Sequence, residues 1–129
     1  MSAEGAVIVS RHGVDRLRKG HVWVYRSDVR APRDVRGGEV VRLEDERGYF
    51  LGKAFYGKTS EISVRLLTRE DEAIDEDFFV RRLAAAKELR EAAQPDPERI
   101  RAARIVHGES DLLPGLVVDR YADVLSIQT

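Results

Sequence analysis

Val106-His107-Gly108-Glu109-Ser110-Asp111-Leu112-Leu113-Pro114-Gly115-Leu116-Val117-Val118-Asp119-Arg120-Tyr121 is the stretch on which the reading of this 129-residue chain turns. An apolar run leads into polar residues, and a Leu-Leu-Pro-Gly corner leads back out into a second apolar run. Pro presets φ for a turn and Gly tolerates positive φ, so Pro114-Gly115 should reverse or sharply bend the chain. Glu109 and Asp111 then stand at the mouth of that corner, two residues apart. One reading is a polar loop between strands, with Asp111 bonding local backbone N–H groups. The other is an acid/base pair, which requires burial to raise one of the two pKa values. Nothing nearby supplies a nucleophile or oxyanion donors for the second.

Outward from the corner, Ala103–His107, Leu116–Asp119 and Val124–Gln128 read as strands, the last two joined through Arg120-Tyr121-Ala122-Asp123. Upstream, Asp75-Glu76-Asp77 places three acids where a helix dipole favours them. Phe79, Leu83, Ala86, Leu89 and Ala93 follow at helical spacing and predict an amphipathic helix with these residues inward, closed by Gln94-Pro95-Asp96-Pro97. The chain stops at Thr129, directly after an apolar strand, which reads as a fragment of a longer protein.

Further upstream the period changes. Ala6-Val7-Ile8-Val9 is a short strand, and Ser10 can cap a helix over Arg11–Lys19 with Val14 and Leu17 inward and Gly20 as its stop. Val22–Tyr25, Glu39–Leu43, Tyr49–Tyr56 and Ile62–Leu67 read as four more strands, the middle two forming a hairpin around Glu44-Asp45-Glu46-Arg47-Gly48. Ala31–Gly38, punctuated by Pro and Gly, reads as an Arg-rich loop. Five short strands and one early helix predict a small barrel or half-open sandwich, bounded near 68–73 where charge changes sign and periodicity switches.

Two motifs carry a resemblance. Gly108-Glu109-Ser110-Asp111-Leu112-Leu113-Pro114-Gly115-Leu116-Val117-Val118-Asp119-Arg120-Tyr121 resembles a signature of bacterial ribosomal-RNA large-subunit (cytosine-5) methyltransferases, and Gly20-His21-Val22-Trp23-Val24-Tyr25-Arg26-Ser27-Asp28-Val29 resembles the start of that family. The resemblance implies three modules: an RNA-binding PUA domain, a central α/β domain carrying the signature, and a catalytic Rossmann-like domain. This chain is then expected to be α+β. A PUA-like β-barrel with one short helix would occupy residues 5–70, and a partial α/β domain, a helix plus antiparallel strands, residues 74–129. The resemblance further implies S-adenosylmethionine as cofactor of the whole protein, 23S rRNA as its substrate and the cytoplasm as its location. The chain itself has no Cys, whereas the family reaction needs a thiolate to attack cytosine carbon 6, and it lacks the Gly-rich strand-to-helix turn of a Rossmann-like cofactor site. Gly37-Gly38 precedes a strand instead. No catalytic residue, metal site or bound cofactor is therefore expected within it. The three histidines share no metal-ligand spacing.

Charge points to a partner. The net charge is −1, but residues 1–70 hold 14 basic and 10 acidic residues, net +4, and residues 71–129 hold 8 and 13, net −5. Arg11, Arg16, Arg18 and Lys19 on the first helix, with His21 and Arg26 beyond it, are the candidate RNA contacts. A solvated helix face balanced by Asp15 is the plainer alternative. Of the aromatics Trp23, Tyr25, Phe55 and Tyr56, two or three are expected in the core and one exposed ring would serve base stacking. Glu109, Asp111, Pro114 and Gly115 are marked without a role. No apolar run reaches the roughly 18 residues of a membrane span. The alternative function is a free-standing interaction module, with a homodimer formed through residues 100–129.

Overall fold

The computed structural model describes residues 5–94, 96 and 101–129, which divide into two compact units meeting between Glu72 and Ala73. The fold is mixed α+β, as expected: a curled, PUA-like sheet with one short helix, then a second helix and a small antiparallel sheet. Among the described residues no helix is long and apolar enough to cross a membrane.

The first unit runs β1 (Ala6–Val9), α1 (Arg11–Arg18), β2 (Trp23–Tyr25), β3 (Val29–Arg33), β4 (Val40–Asp45), β5 (Phe50–Tyr56) and β6 (Ile62–Thr68). The sheet order is β2-β6-β5-β4-β1-β3. Every pairing is antiparallel except β1 with β4, which is parallel and sets Val9 opposite Asp45. Period-two alternation delivers Val7, Val9, Val24, Val41, Leu43, Ala54, Val64 and Leu66 to one concave core, and Val14 and Leu17 of α1 close it.

β3 corrects the expected loop over Ala31–Gly38. Pro32 is tolerated because β3 is an edge strand paired only with β1, and the register slips between Ala6 and Ile8. The aromatics also differ from expectation: only Tyr56 joins the core, while Trp23, Tyr25 and Phe55 stay half-buried. β-Branched and leucine side chains already fill so narrow an interior.

The second unit holds α2 (Glu76–Ala93), β7 (Ala102–His107), β8 (Val117–Tyr121) and β9 (Val124–Gln128), with the strands in that order in an antiparallel sheet. Asp75 caps α2 by accepting from Phe78 N–H at 2.9 Å. Pro95 and Pro97, expected to close the helix, lie outside the described residues. Ala86, Val106, Leu113 and Val118 form the core. The predicted inner face of α2 is only partly right, since Leu83 and Leu89 are 39% and 60% exposed. The inward stripe is Phe78, Arg82, Ala86 and Arg90, four apart. Two arginines face inward because carbonyl and carboxylate oxygens of the Gly108–Leu112 segment wait for them.

Candidate nucleic-acid interface

Where β1 passes into α1, Ser10 binds twice: its Oγ accepts from Gly13 N–H at 3.2 Å and donates to Asp28 Oδ1 at 2.7 Å. The second Asp28 oxygen lies 3.0 Å from His12 Nδ1. Burial pulls the Asp28 carboxyl upward, but hydrogen bonds from Ser10 and His12 and the charges of His12 and Arg30 outweigh it and hold the group below the usual carboxylate range. Asp28 thus fastens the start of α1 to the 3-10 turn at Arg26–Asp28 and fixes which way the helix presents its cations.

Five of the six sequence candidates are exposed: Arg11, Arg18, Lys19 and His21 on or just beyond α1, and Arg26 after β2. Arg16 is different. Its guanidinium lies 5.2 Å from the Tyr25 ring centre, and its buried Nε has no hydrogen-bond partner. Arg26 is engaged by Glu61 at 3.1 Å and Thr59 O at 3.2 Å. The downstream arginines Arg30 and Arg33 are likewise held, by Ser27 O and Glu44.

Arg47 was not singled out from the sequence, yet it belongs here. The parallel β1–β4 pairing sets the β4–β5 hairpin tip beside α1, and Arg11, Arg18 and Arg47 line a polar cleft of about 520 Å³ with Asp15, Asp45 and Glu46. Asp45 is occupied locally, accepting from Arg47 N–H and Tyr49 N–H. A signal for Arg47 would have required knowing a pairing between segments 36 residues apart.

The signature corner is built differently from an acid/base site. Gly108–Asp111 is a 3-10 turn, Leu112 is left-handed, and Leu116 N–H closes a turn onto Leu113 O around Pro114 and Gly115, whose φ of 79° suits only glycine comfortably. The Asp111 side chain is 4% exposed, gripped by both terminal nitrogens of Arg90, and accepts from His107 N–H at 2.6 Å. Burial opposes the charge on Asp111, but these bonds and the Arg90 and His107 charges win and hold its carboxyl below the usual range. Three acceptor positions of this carboxylate are thus taken up inside the fold. Asp111 pins α2 to the corner, with Arg82 adding a 3.1 Å bond to Leu112 O.

No group of three or more His, Asp or Glu among the described residues could hold a metal ion. At the β1–α1 junction Ser10 occupies the helix start, where a Rossmann-like cofactor site has a glycine loop.

Residues 7–69 match the family model described as a PUA-like domain, a segment that contains α1, the Arg47 hairpin and all of the curled sheet but Ala6. Beyond that class, the chain is 40% identical over 114 residues to ribosomal RNA large subunit methyltransferase I of Alteromonas mediterranea, covering 87% of this chain and 28% of that protein. The protein of the same name from Shewanella amazonensis is 40% identical over 117 residues, with the same coverage. The chain therefore spans 28% of the length of these curated relatives. Among solved structures, SMU.776, described as a methyltransferase and complexed with SAH, superposes with a TM-score of 0.80 at 18% identity, over 95% of this chain and 31% of that chain. That likeness is one of fold.

Proposed function

We propose that this chain is the RNA-recognising N-terminal part of an S-adenosylmethionine-dependent methyltransferase of large-subunit ribosomal RNA, acting on cytosine carbon 5 of 23S rRNA in the cytoplasm. Residues 5–70 serve as the PUA-like RNA-binding domain. Residues 74–129 begin a central α/β domain whose signature corner is structural. Methyl transfer and cofactor binding belong to parts of the protein beyond this chain.

The observation that carries the reading is the set of exposed cations on α1, within the segment that matches a PUA-like domain: Arg11, Arg18 and Lys19, with Arg47 beside the first two. Phosphate contacts position an RNA and release counterions, so each contacting cation adds roughly 0.7–0.9 to the slope of log K against log salt. Reversing Arg11, Arg18 and Lys19 together to Glu should weaken binding to 23S rRNA fragments and flatten that slope by about two units. Reversing Lys58, Lys87 and Arg101, an equal change in net charge, should do much less. Equal losses would mean that the RNA reads net charge only.

A second reading, self-association, is favoured by two observations. Every residue of β9 is exposed, and an apolar groove of about 1180 Å³ opens between α2 and the sheet beside Leu125.

A further inference from the structure

We infer that the cleft between α1 and the β4–β5 hairpin takes one unstacked guanine nucleotide, with its base on Tyr49 and its phosphate among Arg11, Arg18 and Arg47. The inference rests on the RNA-binding reading above and adds the unit of RNA that is read. Asp45 N–H donates to Tyr49 O at 2.9 Å, so the two residues stand opposite each other across the hairpin and share a face. Asp45 lines the cleft, and opposed side chains lie roughly 5 Å apart, which brings Tyr49 to its rim. Leu51, two residues further along β5, points the same way and packs against the core that α1 closes.

Tyr49 is the open ring of the first unit. It is 67% exposed, whereas Trp23, Tyr25 and Phe50 each lie against a guanidinium, and Phe55 and Tyr56 are half-buried and buried. Arg11, Arg18 and Arg47 are exposed, and among the described residues none of their side chains has an ion pair or hydrogen bond. That holds although Asp15 and Glu46 line the same cleft. Three unpaired guanidinium groups around one recess suit a phosphate, which accepts from several of them at once. An open ring suits a planar partner, and an unstacked base is one. Asp15 and Glu46 only repel a bare phosphate chain, but they can accept from the N–H groups of a base. Guanine sets two such donors side by side, at N1 and N2, to match the two oxygens of a carboxylate. In a duplex those donors face cytosine and the ring is already stacked, so the site takes a single strand. An acidic protein segment is the poorer occupant, because it offers nothing to the ring and is repelled by both carboxylates.

The intact 129-residue chain is titrated with a labelled single-stranded oligoribonucleotide that contains guanine. The same strand with inosine for guanine, which lacks the N2 amino group, and a duplex of equal length are the comparisons. The guanine strand should bind at least about fivefold more tightly than the inosine strand. Tyr49→Ala should lower that affinity at least about fivefold, and Tyr49→Phe should keep it, because stacking needs the ring and not the hydroxyl. Asp15→Asn combined with Glu46→Gln tests the sign. It should abolish the preference for guanine while tightening the inosine strand, since a repelling charge has gone. Carboxylates that only repel would let the double variant tighten both strands alike, which overturns the guanine site. Parent-like affinity in Tyr49→Ala, with guanine and inosine strands bound alike, overturns it as well and leaves the α1 reading standing on its salt slope. So does a duplex bound as tightly as the single strand. Polyglutamate bound as tightly as the guanine strand, and unaffected by Tyr49→Ala, gives the cleft to an acidic protein segment instead. No RNA binding at any salt removes the α1 reading and the nucleotide site together.

Discussion

At Gly13 a Cβ would stand 2.6 Å from Val9 Cγ1 and 3.1 Å from Asp28 Cβ. Alanine gains helix propensity of about 1 kcal/mol, but here it must displace a fully buried strand residue, and overpacking of that kind costs about 1–3 kcal/mol. Gly13→Ala should therefore lower the urea midpoint of unfolding, whereas a raised midpoint would show that Val9 yields easily. Asp111 gives a test by pH. Its carboxyl titrates below the ordinary 3.8 when folded, so its stabilisation is complete above that value and is lost as pH falls through the lower folded one. Asp111→Asn should cost about 1–3 kcal/mol near neutral pH, because Arg90 loses an ionic partner. The gap to the parent chain, followed by circular dichroism, should hold above the ordinary 3.8 and close only as the pH falls below it, through the lowered folded value. A gap constant across the acid range would refute this account of Asp111.

Local signals in the sequence carried the elements well. Ser10 as a cap, acids at the start of the second helix, the hairpin around residues 44–48 and the turn at Pro114-Gly115 are all set by neighbours in the chain, and each is present in the structure. What the sequence concealed depends on distant partners. β3 forms only because β1 offers it an edge, and α2 turns Arg82 and Arg90 inward only because the corner at residues 108–112 presents oxygens. The α1 cations were legible as residues, but the occupation of Arg16 by Tyr25 and of Arg26 by Glu61 was not, and Arg47 reaches the cleft only through the β1–β4 pairing. β9 carries the prediction of this scale. It is an edge strand with Val124, Leu125 and Ile127 each near 60% exposed, and an open apolar edge invites pairing with a second copy. Sedimentation should show concentration-dependent dimers that Ile127→Lys abolishes, and a monomer at all concentrations would remove this interface.

Over the whole molecule, the net charge of −1 conceals a segregation, +4 over residues 1–70 against −5 over residues 71–129. A polyanion is drawn to the first stretch and repelled by the second, even though the total charge gives no attraction. Such steering is screened beyond a Debye length of about 8 Å at physiological salt, which is why its effect belongs to association rates at low salt.

The place of β1 between β3 and β4 has a consequence in time. β1 can pair with β3 once Arg33 has been made, but its other neighbour comes later, since its parallel register runs to Asp45. The first unit thus cannot close its sheet until residue 45 has been made and has travelled back to residue 9, a long loop whose closure must precede any reward from pairing. The β7-β8-β9 meander needs no such wait, since each of its strands pairs with the next. On a ribosome, the first unit is therefore the one that must hold an apolar strand with one edge open in reserve.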